Sequence, residues 1–269
     1  MEEIAQMIAT YRETSQHLEV FDFNLWWDPI FRDGFRIYTD WDKQWEDYNQ
    51  FGLKNGLITS AKAARYDGLE GNAELSALID GTPLLGCMVL TPELFYSQGG
   101  DEYVDTLVSQ GFVAARLFPA TYMHSMKPAD IGSLLEVLET RGVPLLLWHT
   151  QVSFDEMDCL CRAYPGLNIV VEGHDRKLLY HARQYMPLLM RHKNFFLETH
   201  NIVLYREFEN IDSLAGSSNL LYGSYFPYLT PHFSLYPVIT AEIGEAQRSG
   251  ILCGNARRIL RAAGGKQII

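Results

Sequence analysis

The sequence predicts a closed (β/α)₈ barrel of parallel strands, and three of its features do so. Short apolar runs recur eight times along the 269 residues, separated by helix-length segments. Several of those segments end in glycine before the next run, and single helices alternating with strands impose parallel pairing with right-handed crossovers. No glycine-rich nucleotide fingerprint follows any run, which argues against an open doubly wound sheet. About 250 residues is an ordinary length for one such barrel, so 1–269 reads as a single domain with its barrel core at 17–263.

The first run is "HLEVFDFNLW" at 17–26. Side chains alternate along an extended chain, so Asp22, Asn24 and Trp26 share one face, and Phe21, Phe23 and Leu25 the other. Strands buried on both faces usually read as continuous Val, Ile and Leu, so a carboxylate, an amide and an indole set this face apart. A long aromatic and acidic stretch runs from Trp26 to Phe51 and holds all but one of the tryptophans. A loop of that length inside a compact domain is usually a lid or a binding wall. The other runs lie at 57–64, 84–90, 112–118, 143–149, 167–172, 194–200 and 218–224. Between them, 129–142 puts Ile131, Leu134, Leu135 and Leu138 on one helical stripe, with Gly142 as its stop. Ser153 stands three residues before Glu156, the spacing of a capping box. Segments 71–81 and 101–111 read as helices of the same kind, and Asn255 is expected to cap the last helix.

A net charge of −11, from 22 basic and 33 acidic residues, argues against a nucleic-acid surface, which needs clustered Lys and Arg. The longest apolar run, at 143–148, is far short of the ~20 residues that span a bilayer. The acidic start lacks the basic-then-apolar layout of a signal peptide, and a cytoplasmic location is expected. Cys87, Cys159, Cys161 and Cys253 have no paired metal-binding or redox spacing and are expected to be reduced.

In a barrel of this kind alternate strand residues face the lumen, and the site sits at the C-terminal ends of the strands. Polar residues gather at those ends: Asp22, Asn24 and Trp26 on the first strand, Arg116 on the fourth and His149 on the fifth. Glu172 and His174 follow on the sixth, Glu198 and His200 on the seventh, and Tyr225 on the eighth.

The segments "GFVAARLFP" (111–119), "RGVPLLLWHT" (141–150), "YPGLNIVVEGHD" (164–175), "NFFLETH" (194–200), "LLYGSYFPY" (220–228) and "ILCGNARRIL" (251–260) come in a telling order. Together they resemble the amidohydrolase-related barrel family, the metal-dependent hydrolases and decarboxylases. The departures from that pattern fall on the chemistry. Where the family's first strand carries two metal-binding histidines, this chain has Asn24 and Trp26. An amide oxygen is a poor zinc ligand, and an indole has only a donor to offer. The eighth-strand aspartate is Tyr225, and a phenol with a pKa near ~10 is no base at neutral pH. Gly173 stands where the sixth-strand histidine falls, with His174 beside it, and the fourth-strand lysine is Arg116. His149 alone keeps its register.

The resemblance implies a hydrolase, or a decarboxylase, acting on a small carboxylate-bearing molecule with the usual metal site lost or rebuilt. In that reading Arg116 anchors the carboxylate, and Asn24, Trp26 and Tyr225 line the substrate site. His149, Glu198 and His200 move protons, while Asp22 orients a neighbouring group or Arg116. The cofactor is then either none or one divalent metal. A rebuilt metal site would draw on His149, Glu172 and His174, and zinc is the ion such donors favour. Three alternatives stand beside it: a non-catalytic ligand-binding protein of the same fold, a metal-free lactonase or decarboxylase, and a partner surface formed by the aromatic segment. The expected partner is a small molecule, with neither nucleic acid nor membrane. A homodimer is what the resemblance implies.

Overall fold

Eight strands pair in chain order, every neighbouring pair parallel. The structure is a computed structural model and describes residues 18–29, 38, 40–174 and 181–260. The strands are β1 (Asp22–Trp27), β2 (Gly56–Ser60), β3 (Leu85–Val89), β4 (Phe112–Arg116), β5 (Leu145–Trp148), β6 (Ile169–Glu172), β7 (Phe195–Glu198) and β8 (Leu220–Leu221). The helices are α1 (Trp41–Gln50), α2 (Ala61–Arg65), α3 (Gly68–Ile79), α4 (Pro92–Ser97), α5 (Asp101–Ser109), α6 (Pro128–Arg141), α7 (Phe154–Ala163), α8 (Ala182–Arg191), α9 (Glu207–Leu214), α10 (Pro231–Thr240), α11 (Glu245–Ser249) and α12 (Asn255–Leu260). The predicted (β/α)₈ barrel is the architecture observed.

Closure falls to the short last strand. Phe23 N–H donates to the Tyr222 carbonyl, Tyr225 N–H to Asn24 and Trp26 N–H to Phe226, each at 2.8 Å. Those bonds carry the polypeptide of the eighth segment alongside β1 well past Leu221, and they bring Asn24, Trp26 and Tyr225 to one place.

The helix signals behave as their chemistry requires. Ile131, Leu134, Leu135 and Leu138 are the buried stripe of α6, and Gly142 follows with φ 63°, a left-handed turn that glycine adopts without strain. Ser153 and Glu156 form the complete capping box of α7. Three expectations need correction. The run at 57–64 is a strand only to Ser60, because the Ser60 side chain accepts the Ala63 N–H and starts α2. The aromatic stretch contains α1, capped by Asp40, while residues 30–37 and 39 of that loop lie outside the described residues. Asn255 caps nothing: a π-helical turn, Gly250–Gly254, leads straight into α12. Its amide instead donates to the Ser217 and Leu220 carbonyls at 3.0 and 2.8 Å, tying α12 to the start of β8.

Candidate functional site at the barrel mouth

Three strand ends meet around Arg116. Its Nη2 donates to Glu172 Oε1 at 2.6 Å and to Asn24 Oδ1 at 3.1 Å, linking β4 to β6 and β1. The guanidinium carbon lies 4.6 Å from the centre of the Trp26 ring, a cation–π arrangement that lids the pair. Arg116 and Glu172 side chains are 1% and 0% exposed. A buried ion pair recovers its desolvation cost only with good geometry and further hydrogen bonds, and Asn24 supplies one. Burial pushes the Glu172 carboxyl up to about 8; Arg116 opposes that shift and Glu198 adds to it.

Asn24 has its amide orientation fixed by its neighbours. Trp26 Nε1, at 2.7 Å, and Arg116 Nη2 can only donate, so the Asn24 oxygen faces them. The Asn24 Nδ2 group then faces β7 and donates to Glu198 Oε2 at 3.1 Å. The same Glu198 oxygen touches His200 Nδ1, and Glu198 Oε1 accepts the His200 backbone N–H at 2.7 Å. Asn24 Nδ2 also lies 3.3 Å from His200 Nδ1, but the much closer Glu198 oxygen is an acceptor and decides the tautomer, so neutral His200 is protonated on Nδ1. His200 Nε2 is buried and has no hydrogen-bond partner among the described residues. The ring stacks on Tyr225 at 4.7 Å, and Tyr225 itself holds a left-handed φ of 58°. The shared parity of Glu198 and His200 thus becomes a direct contact.

Asp22 faces another way. Its Oδ1 accepts the backbone N–H of Asn24 (3.0 Å) and of Ser224 (2.8 Å), while Oδ2 accepts the Ser224 and Tyr48 hydroxyls. Burial raises its pKa to about 6; the Ser224 hydroxyl and the two N–H groups oppose that rise, and Glu198 adds to it. The group it orients is the β8 segment at Ser224.

His149 and His174 stand at the β5–β6 rim. The His174 backbone N–H donates to His149 Nδ1 at 3.3 Å, the Glu172 carbonyl lies equally near, and the His149 ring faces His181 at 5.0 Å. The His174 ring lies flat on Trp148, 3.4 Å between centres. Among the described residues no group of three His, Cys, Asp or Glu side chains is placed to hold a metal ion.

Residues outside the sequence-based set complete the mouth. Arg65 at the end of α2 bonds Asp28 Oδ2 at 2.7 Å and the Tyr228 hydroxyl at 2.8 Å, and Tyr228 donates to the same Asp28 oxygen. Tyr228, Tyr225, Phe118 and Trp148 all pack on Trp26 with centres 5.7–6.4 Å apart. A Cβ at Gly223 would fall 2.1 Å from Glu198 Oε1, so glycine there makes room for the carboxylate. Asp28 and Gly223 were visible in "FDFNLWWDP" and "YGSYFP". Arg65 directly follows the run at 57–64, read as strand to its end, which hid its place on α2.

No helix among the described residues is long and apolar enough to cross a membrane. The amidohydrolase family model matches residues 83–262. No curated protein matches the chain. An uncharacterized TIM-barrel protein from Bordetella bronchiseptica superposes with a TM-score of 0.69 at 17% identity, covering 92% of this chain and 100% of that one. The 2,6-dihydroxybenzoate decarboxylase from Rhizobium gives 0.67 at 15% identity over 91% and 99%. The dihydroxybenzoic acid decarboxylase from Polaromonas sp. JS666, solved with manganese and 2-nitroresorcinol, gives 0.65 at 15% over 91% and 97%. At such identities these structures speak for the fold, while the family model spans well over half of the sequence. This chain belongs to the amidohydrolase family.

Proposed function

We propose that this barrel is a metal-independent hydrolase of a small acyl compound, with the fixed charge of Arg116 in place of a metal ion. The observation that carries this reading is the contact of Arg116 Nη2 with Glu172 and Asn24 under the Trp26 ring. The donors present do not converge on a metal position: among the described residues no three His, Cys, Asp or Glu side chains are placed to share an ion. Glu172 Oε1 and Asn24 Oδ1 face a cation already built into the chain, and both Glu198 oxygens accept N–H groups. His174 is stacked on Trp148. Proton transfer by side chains is then the chemistry left to the mouth. The carboxylate that Arg116 meets is Glu172, so an ester or lactone suits this site better than the carboxylate substrates named for the decarboxylase neighbours. A homodimer in the cytoplasm completes the proposal.

The test is turnover of an ester, lactone and amide panel, with 2,6-dihydroxybenzoate included, by protein whose metal content is measured. Turnover that survives chelation, without stoichiometric metal, supports the reading; activity that tracks added zinc or manganese overturns it. A second reading, a non-catalytic ligand-binding barrel, is favoured by Trp26 being only 1% exposed above the polar centre. It predicts ligand-induced thermal stabilisation with no product.

A further inference from the structure

We infer that Asn24 is the positioning residue of a proton-accepting site at His200 Nε2, with Glu198 as the group between them. This inference rests on the hydrolase reading and narrows its proton-moving residues to His200. A histidine acts as a base through an unprotonated ring nitrogen, and a carboxylate on the opposite nitrogen fixes which one that is. Glu198 holds His200 Nδ1, leaving Nε2 as the acceptor. Glu198 is itself held by the Asn24 amide, and the Asn24 amide is held by the Trp26 indole and by Arg116. Asn24 and Trp26, the two residues that depart from the family's first-strand pattern, thereby serve as the frame of the base. In the reaction, His200 Nε2 takes one proton from water as the water oxygen bonds to the acyl carbon. The imidazolium returns that proton to the leaving oxygen as the carbon–oxygen bond breaks, so acid and alcohol are the products and the histidine ends neutral.

The experiment is a long-range ¹H–¹⁵N spectrum of the histidine rings at neutral pH, with His200 assigned by substitution, in wild type, Asn24→Leu and Trp26→Phe. Trp26→Phe keeps a ring over Arg116 and removes the shorter of the two hydrogen bonds that hold the Asn24 oxygen, so it serves if Asn24→Leu fails to fold. Expected is a wild-type His200 protonated on Nδ1 alone, and a mixture of both neutral tautomers in either variant. On a substrate from the panel, kcat should fall about 10–100-fold with KM within twofold, against about 10²–10⁴-fold for His200→Gln. A wild-type ring protonated on Nε2, or variants with unchanged tautomer and unchanged kcat, overturns the inference. If the spectra behave as expected but wild type turns over nothing, the hydrolase reading and the base role fall together, while the positioning of the ring by Asn24 stands.

Discussion

Two arginine–carboxylate pairs stand in this barrel mouth, alike in chemistry and unlike in their access to water. Arg116 and Glu172 are 1% and 0% exposed, whereas Arg65 and Asp28 are 25% and 2% exposed. The inner pair joins strand ends across the barrel; the outer one ties α2 to the end of β1, with Tyr228 as a third member. Coulombic attraction strengthens as water leaves, but so does the penalty for stranding either partner. Arg65 keeps partial access to solvent and can shed its partner at moderate cost. Arg116 cannot, which makes the inner pair a fixed part of the fold and a poor anchor for an incoming carboxylate.

The largest effect expected is from Arg116→Met, which removes the donor to both the buried Glu172 carboxyl and the Asn24 oxygen and should cost about 3–5 kcal/mol in urea unfolding. Adding Glu172→Leu to it should recover most of that loss. If Arg116→Met costs no more than the outer-pair variant, the contrast between the two pairs is wrong.

Asp22 supplies the case of a buried carboxyl with no cation in contact. Its pKa rises from 3.8 to about 6 on folding, so the folded protein binds the proton more tightly. Its contribution to stability is complete below pH 3.8 and is lost as pH rises through about 6. The full difference is at most about 3 kcal/mol, and the Glu172 carboxyl, raised to about 8, extends the decline toward alkaline pH. Unfolding measured from pH 4 to 8 should show stability falling with pH, and Asp22→Asn should flatten the lower half of that curve.

Arg65→Met should cost about 1.5–3 kcal/mol, the range for hydrogen bonds to a charged group, because Tyr228 still serves Asp28. Gly223→Ala should cost about 1–3 kcal/mol by overpacking against Glu198, read as a drop in urea midpoint at constant slope. At the fully exposed limit, Lys43→Ala breaks the contacts with Glu46 and Asp47 and should leave the melting temperature unchanged.

Much of the candidate site was legible as a roster and little of it as a wiring diagram. Period-two parity pairs Glu198 with His200 correctly although β7 ends at Glu198, because the Glu198 carboxylate accepts the His200 backbone N–H and meets its ring. The same rule fails to predict where Glu172 and His174 go: one is drawn to Arg116, the other stacks on Trp148 just past the strand end. Asp22, Asn24 and Trp26 share parity as well, yet Asp22 turns to Ser224 while Asn24 meets Glu198 and Arg116. A shift in the β1–β2 register between Asp22 and Leu25 separates them.

The sequence by itself determined the order of strands and helices, the stop of α6 and the cap of α7, and the kinds of side chain at the strand ends. Those follow from local periodicity and from hydrogen bonds a few residues long. Tertiary structure alone decided that Arg116 faces a carboxylate of its own chain, that Asn24 turns its amide toward β7, and that Arg65 belongs to the mouth. Each of those depends on partners far apart in sequence, brought together by barrel closure, and no local pattern records which of several donors and acceptors will meet once water is gone.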